Sequence, residues 1–447
     1  MKGMIGLEIH TYLTTKEKLF CRCIASREKN KANVNVCPTC TGQPGAKPML
    51  PNAEAVRKAV KIALMLNCEV SNRMPWRRKH YDWPDLPKGY QNTLSGAHAV
   101  PLGINGKFEG IRISSMHLEE DPASWEPSSG KVDYNRSGLP LVEIVTEPDF
   151  TYAEEVMEWL GKLVHALAYL KVADSDAGIK VDVNVNIPKL TDRVEVKNIN
   201  SIESVGKAIE FELERQTRDG SVRETRRFDE VKGKTMRMRG KEQQEDYRFI
   251  SDPDLTDLRI DKKFVQELSK EIPELPSAKL ARIVRNYKIS EKDALVLGKN
   301  IDIVDFFEQV AKKISINLAL PWVTVELLRV LNWNKTTLDK VDIKPEHFIS
   351  LLELVEQRKI TELQGKQILN KFVPKSFDPS KVEGKISDEK QLRVIIEKIL
   401  KGNKENVAKY KSGDKNVLNF LMGEVMKATS RRADFAVAKR LLEKLLD

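Results

Sequence analysis

No stretch of this chain is apolar for long enough to cross a membrane. The longest runs, such as KIALML at 61–66, fall far short of the roughly 18 residues a span requires. The N-terminus also lacks a secretory signal pattern, and together these absences predict a cytoplasmic protein. Three catalytic signatures are missing as well. There is no G-x-x-x-x-G-K-[ST] loop for cradling nucleotide phosphates, no H-E-x-x-H helix and no G-x-S-x-G elbow. A P-loop nucleotide site is therefore excluded. Cysteine is scarce, five residues in 447, which makes the positions of those five informative.

What is present is soluble-globular composition, 41% hydrophobic and 31% charged. A chain of 447 residues exceeds what one core covers, so two or three domains are expected. Lysine and arginine number 75 against 65 acids, a net charge of +10 that suits a polyanionic partner. Residues 386–447 hold 14 of the basic residues and 9 of the acidic ones, so this short tail carries +5, half the excess. Charge alone divides evenly between solvated helix faces and RNA contact.

Cys21 and Cys23 stand one residue apart, and Cys37 and Cys40 follow in VCPTCTGQPG. Two close pairs joined by a loop match a four-thiolate tetrahedral zinc site, because each short turn aims two sulfurs at one ion. Redox dithiols or buried thiols are the alternatives, and a cytosolic setting disfavours disulfides. With all four positions filled by protein, such a zinc would be structural. Cys68 ends the helical pattern AEAVRKAVKIALMLNC and reads as a core thiol.

Strand-like alternation is strongest at three places. In MIGLEIHTYL, Ile5, Leu7 and Ile9 oppose Glu8 and His10. In KVDVNVNI, Val181, Val183, Val185 and Ile187 oppose Asp182, Asn184 and Asn186, and RVEVKNIN sets Val194 and Val196 against Glu195 and Lys197. The last two read as a hairpin with a shared polar face. One sheet would then present Asp182, Glu195, Glu8 and His10 together. HLEEDP adds His117, Glu119, Glu120 and Asp121 at the end of the strand-like GIRISSM. Carboxylates with a histidine and amide oxygens suit hard divalent ions such as Mg²⁺, although half-buried antiparallel sheets commonly turn a polar face to water. Between these clusters WRRKHYDWPDLPKGYQ, residues 76–91, crowds bases, aromatics, prolines and a glycine into what reads as a rigid loop. Its Arg and Lys suit phosphates and its Tyr81, Trp83 and Tyr90 suit stacking on a base. A loop folded onto its own aromatics fits equally well.

The segments IGLEIH, KLFCRC, NVCPTCTGQPGAKP, RKHYDWPDLPKGYQ, HLEEDP, VDYNRSGLPLVEIVTEPD, VEVKNINS, ETRRFDE and EDYRFISDPDL occur in that order. In this they resemble the B subunits of tRNA-dependent amidotransferases, and the tail NFLMGEVMKATSRRADFAVAKRLLEKLL resembles that family's C-terminal end. The resemblance implies a kinase acting on Asp-tRNA(Asn) or Glu-tRNA(Gln). The γ-phosphoryl of ATP passes to the side-chain carboxylate, and ammonia from a partner glutaminase, the A subunit, then displaces phosphate. A small C subunit joins the two, and the tail domain grips tRNA.

The same resemblance assigns Glu8, His10, Glu119 and Glu120 to Mg²⁺, and Asp182 and Glu195 to a second metal or the ammonia exit. Lys79 would meet phosphate or the substrate carboxylate, with Tyr81, Tyr247 and Arg248 around the nucleotide. Family members commonly read YFYPD and RYFPEPD where this chain has YDWPD and RFISDPD, so Asp82 and Trp83 would alter the pocket. The sister E subunit carries a large inserted domain for which this chain has no room. A rival reading is a non-catalytic, zinc-stabilised tRNA-binding scaffold.

The fold expected is α+β: a largely antiparallel sheet domain over 1–260, a helical domain over 261–384 and a helical tail over 385–447. Past Leu258 the periodicity turns helical. Ser387, Asp388 and Glu389 read as a cap and acidic first turn, followed by a stripe of Leu392, Ile395, Ile396, Ile399 and Leu400. Lys404, Lys409, Lys411, Lys415, Arg431 and Arg432 lie off the stripes and would meet phosphates.

Overall fold

The computed structural model describes residues 2–26, 31–173, 178–240, 248–298, 300–381, 386, 388–429 and 431–446. The chain divides into two units, Met1–Lys279 and Leu280–Asp447.

The first unit is α+β. Its strands in chain order are β1 (Met4–Tyr12), β2 (Glu69–Val70), β3 (Arg73–Met74), β4 (Arg77–His80), β5 (Gln91–Thr93), β6 (Gly103–Phe108), β7 (Ile111–Glu120) and β8 (Ser124–Glu126). There follow β9 (Lys131–Asp133), β10 (Pro140–Thr146), β11 (Lys180–Asn186), β12 (Val194–Ile199), β13 (Glu224–Asp229), β14 (Lys234–Gly240), β15 (Arg248–Ser251) and β16 (Leu258–Arg259). Twelve of them form one sheet in the order β14-β13-β12-β11-β1-β10-β7-β5-β4-β15, with β6 on β7 and β2 on β6. All these pairings are antiparallel except that of β12 with β13, which is parallel.

Period-2 alternation gives the sheet two unlike faces. Ile5, Leu7 and Ile9 of β1 and Val181, Val183 and Val185 of β11 are buried in one core with the helices α1 (Ala53–Met65), α2 (Ala153–Tyr169) and α3 (Ile202–Asp219). Asn52 caps α1 by accepting from the Glu54 and Ala55 amides at 2.9 and 3.2 Å. Ser201 caps α3 through the Ser204 amide at 3.0 Å, and such caps satisfy donors that the first turn leaves unpaired. The expected hairpin exists as β11–β12, with a register shift between Val181 and Val183. Cys68 is a core thiol, and a Cβ on Gly106 would lie 2.4 Å from its Sγ.

The stretch expected to be wholly loop is not. Its ends are β4 and the start of β5, with the loop confined between them. Pairing with β5 on one side and β15 on the other satisfies the backbone of the basic run Arg77–His80. That long-range pairing overrides the local turn signals of the prolines.

The second unit is helical and holds two cores. One gathers buried side chains from Ile283 to Phe372, the other those from Ile386 to Leu446. In the latter, Asp388 caps the Glu389–Gly402 helix by accepting from the Gln391 amide at 2.7 Å; Ser387 lies outside the described residues. Leu392 and Ile396 are fully buried on the expected stripe. Among the described residues no helix is long and apolar enough to cross a membrane.

Candidate active site

The face of the sheet away from the helices is polar, and strand register decides which side chains meet there. His10 on β1 stands opposite Glu143 on β10 and Lys180 on β11, and Glu8 stands opposite Asp182. Glu143 in turn faces His117 on β7, and Asn184 faces Glu195 on β12. Residues far apart in sequence thus share one surface.

Two donor groups result. In the first, His10 Nε2 lies 3.7 Å from Glu143 Oε1 and 3.9 Å from Glu119 Oε1. These contacts are too long for hydrogen bonds, and His10 Nδ1 is buried without a partner. Thr93 Oγ1 donates to Glu119 Oε2 at 3.0 Å and orients it. His117 donates from Nδ1 to the Leu94 carbonyl at 3.0 Å, leaving Nε2 to accept from Ser115 at 2.9 Å. In the second group Glu8, Asp182 and Glu195 offer oxygens within 4.8 Å of one another. The Lys197 ammonium bridges Asp182 at 3.1 Å and Glu195 at 2.8 Å, Asn184 donates to Glu8 at 3.1 Å and Thr225 donates to Glu195 at 3.1 Å.

The electrostatics follow from burying like charges together. Burial, then Glu143, Asp182 and Glu195, push the Glu8 carboxyl up to about 7. Burial and then Glu143 also raise Glu119, and burial lowers His10, which favours its neutral form. Burial alone would favour neutral Lys197, but Asp182 and Glu195 outweigh it and hold the ammonium above its ordinary value.

The structure therefore brings together Glu8, His10, Glu119, Asp182 and Glu195. It adds Glu143 and Lys197, which sequence reasoning did not assign. Glu143 was findable: Val142, Glu143 and Ile144 alternate as the other site strands do, and the same rule applied to β10 marks it.

Glu120 is not part of either group. As the neighbour of Glu119 it points to the opposite face, where it pairs with Lys88 and accepts from the Asn92 amide at 2.9 Å. Asp121 accepts from the Tyr12 hydroxyl at 2.6 Å and faces Arg136 at 3.1 Å. Lys79 is half-buried on β4, and its charge acts on His10, Glu119, His117 and Glu143. Tyr81 is half-buried just beyond that strand, and Arg248 is exposed on β15 opposite His80; Tyr247 lies outside the described residues. The Tyr90 ring is already engaged by Arg78 at 4.3 Å and Lys88 at 5.2 Å. Trp83 is half exposed and sits edge-on to Trp125 at 5.2 Å.

The four clustered cysteines converge as their spacing requires. Cys40 Sγ lies 3.9 Å from Cys37 Sγ and 4.0 Å from Cys23 Sγ, close to the roughly 3.8 Å edge of a tetrahedron with Zn–S near 2.3 Å. All four sulfurs lie within 4.8 Å of one another. Lys18 reaches Cys40 at 3.5 Å, a cation placed to hold thiolate charge. The knuckle packs against the 76–91 segment: Gly42 has φ +69°, and a Cβ there would lie 2.1 Å from the Pro87 carbonyl oxygen.

This is an α+β protein whose sheet clusters carboxylates and an imidazole in two groups with the geometry to hold a metal ion, in the same unit as a four-cysteine knuckle. Residues 3–266 match the family model described as GatB/GatE catalytic domain, and residues 305–446 match the one described as GatB domain. The B subunit of the aspartyl/glutamyl-tRNA(Asn/Gln) amidotransferase of Methanopyrus kandleri is 43% identical over 459 residues, covering 99% of this chain and 98% of its own. Its counterpart in Methanocaldococcus jannaschii is 42% identical over 469 residues, covering 100% and 98%. The chain belongs to the GatB/GatE family.

Proposed function

We propose that this chain is the kinase and transamidation component of a tRNA-dependent amidotransferase. It would phosphorylate the side-chain carboxylate of Asp-tRNA(Asn), Glu-tRNA(Gln) or both with ATP, then convert it to the amide. The observation that carries the reading is the juxtaposition of His10, Glu119 and Glu143 with Glu8, Asp182 and Glu195 on one polar sheet face. A surface of solvated acids has no need to bury Glu119 and Asp182 to 3% and 5% exposure, since burying carboxylates together is costly.

The first group fits a divalent ion best. Its histidine and two carboxylates face one another beyond hydrogen-bond distance, and His10 Nδ1 has no partner. The second group is partly compensated by Lys197. A divalent ion held by these donors, Mg²⁺ being the expected one, supplies positive charge that neutralises a transferred phosphoryl group.

In the first step a carboxylate oxygen of the aminoacyl side chain forms a bond to the γ-phosphorus while the bond to the β-phosphate oxygen breaks, releasing ADP. Lys79, on the same side of the sheet, neutralises phosphate charge. Ammonia then attacks the acyl carbon, the carbon–oxygen bond to phosphate breaks, and the nitrogen loses a proton. Asp182 or Glu195, whose charge Lys197 already balances in part, is suited to accept that proton. The ammonia would come from a partner glutaminase, with a small third protein joining the assembly. The basic tail would hold the tRNA body, and zinc on Cys21, Cys23, Cys37 and Cys40 would be structural.

The test is phosphate release from ATP by the protein copurified with its glutaminase partner, offered Asp-tRNA(Asn), Glu-tRNA(Gln) or the uncharged tRNAs. Release that depends on a misacylated tRNA supports the reading and names the substrate. An intact, tRNA-binding complex without such release would leave a zinc-stabilised scaffold in its place.

A further inference from the structure

Across the outer strands of the sheet the charge changes sign. Glu8 stands opposite Asp182, Asp182 is paired with Lys197 at 3.1 Å, and Lys197 stands opposite Arg227 on β13. Lys197 is consumed between two carboxylates. Arg227 is exposed, and among the described residues no acid pairs with it. It sits in a dense run: residues 221–240 hold seven Lys/Arg and three Asp/Glu.

Ion pairing separates five of those cations into two sets. Those turned toward α3 are neutralised by two buried carboxylates, Glu212 and Glu224. Arg226 lies 3.1 Å from Glu212 and 2.8 Å from Glu224, Arg215 lies 2.8 Å from Glu212, and Arg237 lies 3.0 Å from Glu224. Glu212 is fully buried, and Phe228 packs on the core beside this network. These contacts fix the register of the β13–β14 hairpin. The other set, Arg223, Arg227 and Lys234, is exposed and makes no ion pair within 4.0 Å among the described residues, although Lys234 stands opposite Asp229, which Lys232 approaches at 3.9 Å. The hairpin is thus anchored through one set of cations and displays the other.

We infer that this hairpin grips the phosphodiester backbone at the 3′ end of the RNA substrate, with Arg227 as the central contact and Arg223 and Lys234 beside it. The inference rests on the function proposed above and adds a binding site to it. An aminoacyl group lying over Glu8 and His10 brings its RNA onto a field of carboxylates that repels phosphate, so the strand leaves where the sign reverses. From β1 to β13 is three strand steps of about 4.8 Å, roughly 14 Å. At about 3.4 Å per nucleotide, that is the reach of some four nucleotides from the reacting end.

The test uses the intact complex carrying Arg223→Gln, Arg227→Gln and Lys234→Gln together. The RNA is an aminoacylated minihelix containing only the acceptor stem and 3′ end, so the tRNA body no longer adds to binding. Binding is followed by fluorescence anisotropy between 50 and 200 mM salt, and phosphate release gives KM and kcat. Each single-strand phosphate that a side chain no longer neutralises takes about 0.7 off the slope of log Kd against log salt. The slope for the triple variant should therefore fall by about 2, with KM raised and kcat held. Over that four-fold range of salt, a slope change of about 2 corresponds to roughly a fifteen-fold difference in salt sensitivity.

Arg227→Gln alone should lower the slope by about 0.7, and it decides the matter if the triple variant does not fold. A slope and KM equal to wild type in an active complex overturn the inference and leave the hairpin charges as protection of a sheet edge. Wild-type binding without misacyl-dependent phosphate release would instead overturn the proposed function while the slope comparison still reads the hairpin.

Discussion

Replacing Glu8 by Gln should stabilise the ion-free protein while abolishing ATP turnover. The Glu8 carboxyl titrates at about 7 in the fold against an ordinary value of 4.5, driven first by burial and then by Glu143, Asp182 and Glu195. At about 1.36 kcal/mol for each pH unit, that difference means the ionised carboxylate costs the fold about 3 kcal/mol. Glu8 is a group whose folded value lies above its unfolded one. Its favourable contribution is complete below about pH 4.5 and is lost as pH rises through about 7.

Gln keeps the shape and can still accept from Asn184, but it must bury an amide, so the expected net gain at pH 8 is about 2 kcal/mol. For a unit of this size that is about 4 °C in the transition of the sheet domain. The assay is thermal melting in EDTA at pH 8 and pH 5. The gain should shrink below about 1 kcal/mol at pH 5, where the wild-type carboxyl is protonated in the fold. Added Mg²⁺ should narrow the gap at pH 8 by binding the wild-type carboxylates. A variant less stable than wild type at pH 8, or a gain independent of pH, would refute the electrostatic account of the site.

Glu143→Gln should reduce misacyl-dependent phosphate release by more than about 100-fold, since even outer-shell partners of metal ligands cost 10–100-fold, with tRNA binding retained; activity within two-fold of wild type would remove Glu143 from the site. Cys40→Ser should lose bound zinc, measured by plasma mass spectrometry, and lower the melting temperature of the sheet domain. Wild-type protein that stays metal-free after expression in zinc-replete medium would contradict the four-thiolate assignment. Gly42→Ala combines a left-handed backbone, costing about 1–2 kcal/mol, with a Cβ 2.1 Å from the Pro87 carbonyl oxygen. It should therefore destabilise by at least about 2 kcal/mol, and a melting temperature unchanged from wild type would show that the knuckle does not bear on the 76–91 segment.

The parts of the site legible in the sequence were those where one strand states both its faces. β1, β11 and β12 alternate so regularly that their acids had to share a surface once the strands paired, and the cysteine spacing carried its own geometry. What was not legible depended on non-local pairing. Nothing in VEIV says that β10 lies between β1 and β7, so Glu143 was not singled out. The prolines of 76–91 concealed β4, which is a strand because β5 and β15 flank it. Glu119 and Glu120 were read as a pair, although consecutive residues of a strand point apart. The strand continues through both, so only one of the two reaches His10.

The alternation that builds the sheet also separates what stabilises it from what it does. Ile5, Leu7 and Ile9 with α1, α2 and α3 make a core that asks nothing of the polar face. The opposite side of the same strands is left to hold carboxylates at a cost in stability. That cost is visible in the raised Glu8 and Glu119 and in the need for Lys197 between Asp182 and Glu195. Such an arrangement is maintained where charge of the other sign is to be bound. The three kinds of residue should therefore behave differently on truncation. Val183→Ala loses packing in a close-packed core and falls mainly in stability. Glu143→Gln removes a carboxylate that, despite its burial, His10, His117 and Lys79 hold in its ionised form, and it falls mainly in activity. Lys197→Met, which leaves Asp182 and Glu195 uncompensated, should fall in both, by an amount that shrinks as pH is lowered and those carboxylates take up protons.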